Sequence, residues 1–357
     1  MYLSGPPGLA IVLIWLTALL QLVTSLPDVD VSTRFRVEEG EKGQDGYYGG
    51  SCKDVDMDLN AIYQEAIDMA QVAKDAMDNY SKDDQVRKML KNFFGITEDK
   101  STHKVKDGQD RFDFVKSVFE IIVSDSKKKH DDTTPSLFCD SDWRFSTSWL
   151  YDTDTGKKTD KTLREDGKPH VLYWAPFFKT YTGTKEGCKD KKLAFAFQGD
   201  ASSITICPYS RNMPKRKDSL SAWHTGETTI TKRASLLGAL STPGTFLHEL
   251  THLLTHGDDH VIDEQVTWWS NYDWDNAPID ESSDDDMSDS EDDDDDSEKD
   301  QCDKQKFVAY TPRFCGLLAR KYPYMAIKNA DSYRWFATAM YIRQCDWSTM
   351  YCKLKGD

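Results

Sequence analysis

The stretch Thr245-Phe246-Leu247-His248-Glu249-Leu250-Thr251-His252-Leu253-Leu254 decides how this chain is read. An α-helix places positions i and i+4 on one face, so His248 and His252 can direct their rings at one cation while Glu249 projects beside them. The helical context is written separately around the motif. Ser241 or Thr242 can cap the helix, Pro243 fits a first turn where its missing N–H costs nothing, and Gly257 follows as a stop. Phe246, Leu247, Leu250, Leu253 and Leu254 make the helix a buried one, and a buried helix seldom carries His-Glu-His without a ligand for it. The spacing is that of a zinc hydrolase, with one zinc per chain and Glu249 as the general base.

A catalytic zinc keeps three protein ligands and one open position. The third ligand is expected downstream. A histidine six residues after His252 with a midway glycine would mark one subclass, but Asp258 and Thr255 occupy those places. Asp263 stands eleven residues after His252, behind a turn containing Gly257 that can bring its carboxylate back. Asp258, Asp259, His256 and His260 remain alternatives. A straight row of His248, His252 and His256 cannot surround one ion, because each step of four residues advances about 6 Å along the helix axis. His170 and His224 stand apart from the motif and read as surface or hydrogen-bonded residues.

Outward from the motif, apolar residues at helical spacing predict helices over 58–80, 83–94 and 109–124. Aromatic and β-branched runs over 138–151, 170–181 and 193–207, divided by Gly and Asp clusters, predict antiparallel strands or hairpins. An edge strand of such a sheet, beside the motif helix, could pair with an extended substrate backbone. Residues 9–23 are apolar and lead to small residues before position 26, so 1–25 read as a secretory signal and no stable membrane insertion is expected. Residues 26–50 are polar and Gly-rich and read as an irregular leader or pro-segment, with a single domain over 51–357. The eight cysteines contain no Cys-x-x-Cys pair and point to disulfides in an oxidising, extracellular setting, four bridges being the expectation, with Cys188–Cys207 and Cys345–Cys352 as local closures. Asn79-Tyr80-Ser81 is a glycosylation sequon.

The formal net charge of −16 is concentrated. Residues 280–300 hold fourteen Asp or Glu and one Lys, which leaves only about −3 for the rest of the chain. That run cannot bury apolar surface and reads as a disordered insertion in the domain. No basic patch with interleaved aromatics supports nucleic-acid binding.

The motif, with Asp263 after it and with Asn329-Ala330-Asp331-Ser332-Tyr333, Trp335-Phe336-Ala337 and Cys345-Asp346-Trp347-Ser348-Thr349 near the C-terminus, resembles the fungal deuterolysin-like (aspzincin) metallopeptidases, near their lysine-specific metalloendopeptidase branch. The resemblance covers roughly residues 136–352. It implies zinc held by His248, His252 and Asp263, with Glu249 as base. Where the family shows Gly-Thr-x-Asp-x-x-Tyr, this chain reads His260-Val261-Ile262-Asp263-Glu264-Gln265-Val266, so the tyrosine that supports the oxyanion is unassigned. Tyr272 and Tyr310 are the candidates for it. Asp331 and Tyr333 are expected to orient the ligands or pack against them. The expected fold is α+β: a mainly helical, zincin-like metallopeptidase domain with a small antiparallel sheet and disulfides. The expected function is a secreted zinc endopeptidase acting on protein or peptide substrates. The alternative is a weak or inactive member of the same fold that binds zinc or a surface partner outside the cell.

Overall fold

The computed structural model describes residues 30–38, 52–128, 131, 133–140, 151–152, 157–158, 173–175, 180–182, 188, 192–198, 202–207, 216–255, 260–269 and 304–354. The expected signal, the acidic run, His170, His256, Asp258, Asp259 and Tyr272 lie outside these residues.

Three helices follow the N-terminal segment, the first two each begun by a capping aspartate. In α1 (Leu59–Asp78) the Asp58 carboxylate accepts from the Ala61 N–H, and in α2 (Asp84–Phe94) the Asp83 carboxylate accepts from that of Val86. Helix α2 ends at Gly95, whose φ of 65° is a left-handed conformation that an L side chain adopts only with strain. A Cβ there would also stand 2.7 Å from the Ala319 carbonyl oxygen. Helix α3 (Gln109–Asp125) completes the set. Their buried faces carry Tyr63, Ala66, Met69, Phe93, Phe94, Val115, Phe119 and Ile122, the positions with helical periodicity in the sequence.

The principal sheet is mixed. Its order is β1 (Arg36–Val37), β2 (Ser136–Phe138), β4 (Ser203–Ile206) and β3 (Ala194–Phe197). Both β1 and β4 run parallel to β2, and only β3 pairs antiparallel with β4. This corrects the antiparallel expectation. Parallel neighbours require long connections, and here α1 to α3 separate β1 from β2, a crossover that alternation within short windows cannot reveal. The run at 170–181 contains a small antiparallel hairpin, Tyr173–Ala175 against Thr180–Thr182, within the sequence reading. The hairpin at 193–207 follows the sequence reading.

Residues 31–38 also depart from the expected irregular leader. Val31 and Phe35 are buried, β1 joins the sheet, and the Arg34 guanidinium forms a two-armed ion pair with the buried carboxylate of Asp125. Phe35, Tyr63 and Phe246 stack edge to face with ring centroids 5.7 Å apart in each pair. This segment therefore supports the motif helix from below.

The second half supplies α4 (Thr242–Leu254), the hairpin β5 (Gln265–Trp269) and β6 (Lys304–Val308), α5 (Pro312–Lys321) and α6 (Ala330–Tyr341). Helix α4 packs against α1, α6 and the edge strand β3. Disulfides join Cys52–Cys139, Cys188–Cys207 and Cys345–Cys352. The last two were expected as local closures. Of the two cysteines left for the expected fourth bridge, Cys302 lies outside the described residues, and Cys315 carries a buried free thiol that donates to the Ala309 carbonyl at 3.0 Å. Among the described residues no helix is long and apolar enough to cross a membrane.

Candidate metal centre

Helix α4 presents the motif as its capping predicts. The Ser241 hydroxyl accepts from the Gly244 N–H at 3.1 Å, and Pro243 sits in the first turn. His248 and Glu249 are buried and His252 is partly buried. At the other end the Gln198 amide, just past β3, donates to the carbonyls of both His252 and Thr255, the latter at 2.6 Å. It satisfies carbonyls that the helix end leaves open. No spacing rule points to Gln198, because the contact spans more than fifty residues of sequence.

Asp263 is brought back by the chain on both sides of it. Ile262 donates to the Lys328 carbonyl at 2.7 Å and accepts from the Ala330 N–H at 3.0 Å. The next residue, Glu264, donates to the side-chain oxygen of Asn329 at 3.1 Å and accepts from Ala309 at 2.8 Å. Asn329 is fully buried, and its amide also donates to the Ala309 carbonyl at 3.2 Å. Asp263 is thus fixed between the start of α6 and the base of the β5–β6 hairpin.

The result is a convergence of three ligand atoms. His248 Nε2 and His252 Nε2 are 3.0 Å apart, and Asp263 Oδ1 lies 3.2 Å from the first and 3.3 Å from the second. Donors set tetrahedrally at about 2.0–2.1 Å from one cation stand about 3.3–3.4 Å apart, so the triangle fits a single small metal ion. The outer nitrogens fix the tautomers. His252 Nδ1 donates to the Val261 carbonyl at 2.7 Å, and His248 Nδ1 donates to Asp331 Oδ1 at 3.1 Å. Both Nε2 lone pairs then face each other and a carboxylate oxygen that has no hydrogen bond of its own. Three electron-rich atoms at this separation require a positive charge between them. His248, Glu249 and His252 together can hold a metal ion, with Glu249 Oε1 4.0 Å from His248 Nε2.

The titration behaviour reports the same demand for positive charge. Burial alone would depress His248, but Asp331, Asp263 and Glu249 override it and push the imidazole up to about 10. Asp263 is raised by burial and lowered far more by the two imidazoles that stand 3.2 and 3.3 Å from it, ending well below the usual carboxylate range. Burial raises Glu249 as well, against the pull of the two imidazoles.

Tyr310 also arrives here, by register. In the antiparallel hairpin Gln265 pairs with Val308, so continuing two positions places Asp263 opposite Tyr310. Its hydroxyl donates to Asp263 Oδ2 at 2.9 Å, and its ring centroid is 6.3 Å from that of His248. Burial and the Asp263 charge raise the phenol well above its ordinary range, so it stays a proton donor. Residues 270–303, which include Tyr272 and the acidic run, link the two strands and lie outside the described residues.

Asp331 lies against the outer nitrogen of His248. Tyr333 is engaged elsewhere. Its hydroxyl donates to the Ile327 carbonyl at 2.5 Å and its ring packs on Phe94 and Phe119, so it braces the turn before α6 away from the ligand atoms. His260 Nδ1 donates to the Thr255 carbonyl at 3.0 Å, and His224 stacks on Tyr341 with centroids 4.0 Å apart. Neither joins the three-atom cluster. No protein-family model matches the chain, and neither the curated proteins nor the solved structures contain a match to it.

Proposed function

We propose that the protein is a secreted zinc-dependent endopeptidase of the zincin-like kind, with His248, His252 and Asp263 as ligands and Glu249 as general base. The observation that carries this reading is the approach of two imidazole nitrogens and one carboxylate oxygen to within 3.0 to 3.3 Å of one another beside a buried glutamate. Two nitrogens and one oxygen, with each imidazole held from behind, are a donor set suited to zinc. Zinc in such a site supplies Lewis acidity, which acidifies water and polarises a scissile carbonyl.

The remaining steps belong to the chain. Glu249 accepts the proton of the attacking water, an uptake its raised proton affinity favours, and then returns that proton to the leaving amine. Tyr310, protonated and within reach of Asp263, donates to the developing oxyanion. The edge strand β3, packed on α4, offers its outer rim to an extended peptide. A pure zinc binder would have no use for a base beside the histidines, so Glu249 favours hydrolysis over the zinc-sequestering alternative.

Digestion of an unstructured protein by zinc-loaded wild type and Glu249→Gln tests the reading. Cleavage by the wild type, with a loss on the order of 10²–10⁴-fold in the variant at unchanged zinc content, is the expected result. Equal cleavage by both would remove Glu249 from the mechanism. Absence of cleavage by a zinc-loaded wild type would favour the binding alternative.

A further inference from the structure

Helix α6 carries a residue whose contacts join both sides of the metal centre. Arg334 is buried, and its Nη2 donates one hydrogen to Asp331 Oδ1 at 2.5 Å and the other to the Tyr310 carbonyl at 3.0 Å. Its first acceptor is the same oxygen that holds His248 Nδ1. Its second is the backbone of the residue whose hydroxyl holds Asp263. The Trp335 indole N–H donates to that carbonyl as well, at 3.0 Å, and the guanidinium lies over the Trp335 ring at 4.6 Å. The stem of Arg334 crosses α4 at Gly244, where an added Cβ would meet Arg334 Cγ at 3.5 Å.

A buried arginine beside a buried aspartate is often only a compensated pair, with each ion offsetting the desolvation of the other. The Tyr310 contact goes beyond compensation. It gives one NH₂ group two acceptors that belong to different elements: Asp331, which is hydrogen-bonded to His248, and the backbone of Tyr310, whose hydroxyl is hydrogen-bonded to Asp263. We infer that Arg334 is a positioning residue that fixes His248 through Asp331 and aims the Tyr310 hydroxyl through the Tyr310 backbone. The inference rests on the zinc-peptidase reading and deepens it, because it divides metal retention from transition-state support between the two arms of one residue.

The two arms separate by substitution. Arg334→Met removes both. Arg334→Lys leaves a cation on Asp331 in its own turn, but its shorter stem ends before the Tyr310 carbonyl. Zinc affinity, read by competition with a chromophoric chelator, and kcat on a quenched peptide are measured for wild type, both variants, Tyr310→Phe and the Arg334→Lys/Tyr310→Phe pair. Arg334→Met should weaken zinc binding about 10–100-fold, as loss of an outer partner of a ligand does. Arg334→Lys should hold zinc within a few-fold of wild type yet lower kcat on the order of 10-fold or more. That kcat loss should vanish in the Tyr310→Phe background, because the hydroxyl being aimed is already absent.

Arg334→Lys is the safeguard should Arg334→Met fail to fold, since it keeps the buried charge paired. Zinc affinity unchanged in Arg334→Met, or a kcat loss in Arg334→Lys that persists undiminished without the Tyr310 hydroxyl, overturns the inference alone. A wild type that binds no metal overturns this inference and the peptidase reading together. A wild type that binds zinc and turns over, with both Arg334 variants indistinguishable from it, leaves the peptidase reading standing and removes the role of Arg334.

Discussion

The two halves of the candidate site are built in opposite ways. His248, Glu249 and His252 come from one capped helix, so their mutual placement follows from a spacing of four residues. Asp263 and Tyr310 are 47 residues apart and meet because two strands pair in one register. Burial differs as well: His248 and Glu249 are closed off by α1, α6 and the aromatic cluster below, whereas Tyr310 is 47% exposed. A helix can set ligands by local sequence alone. A hairpin sets them only once the fold exists, and here it leaves Tyr310 open to solvent.

That contrast orders the expected effects of substitution. Phe35→Ala removes the aromatic packing under Phe246 and should lower the unfolding free energy by about 3–5 kcal/mol, as other buried Phe truncations do. Denaturant unfolding monitored by tryptophan fluorescence reads it. A loss under about 1 kcal/mol would mean that residues 31–38 are dispensable to the helical half. Tyr310→Phe strikes the hairpin half, where the hydroxyl holds Asp263 Oδ2 rather than the Oδ1 that faces the imidazoles, and steady-state kinetics should show kcat down about 10²–10³-fold with a smaller loss of zinc affinity than the next substitution gives. Asp331→Asn strikes the helical half, and chelator competition should show zinc affinity down about 10–100-fold. If Tyr310→Phe also released the metal to that degree, the division of labour between the halves would be lost. Smallest is Ser241→Ala, which removes the cap of α4 and should cost about 1 kcal/mol by thermal melting, without changing the ligand atoms.

How much of this was legible in the sequence follows the same division. The three N-terminal helices and α4 carry their own periodicity, and α1, α2 and α4 their capping side chains as well, and the structure places them where those signals fall. Asp263 was reached through a family resemblance and its distance from His252, which give no geometry. Tyr310 stood beside Tyr272 as an equal candidate, because the register that aligns Gln265 with Val308 runs across an acidic connection that contains no register signal. Arg334 and Gln198 carry no signal in the sequence, and Asn329 stands there only inside a resemblance motif without a role of its own, since each acts through backbone carbonyls or amides contributed by distant segments. The parallel pairing of β1 and β4 with β2 was missed for the same reason. Residues 31–38 read as leader because two buried side chains in a polar stretch carry too little periodicity to declare a strand.

The central proposal is that these two unlike halves share one metal ion. Elemental analysis of the purified chain beside Asp263→Ala, each dialysed against the same dilute chelator, tests it most directly. One equivalent of zinc retained by the wild type and lost by the variant is the predicted result. A wild type free of metal, or an Asp263→Ala chain that retains a full equivalent, would contradict it.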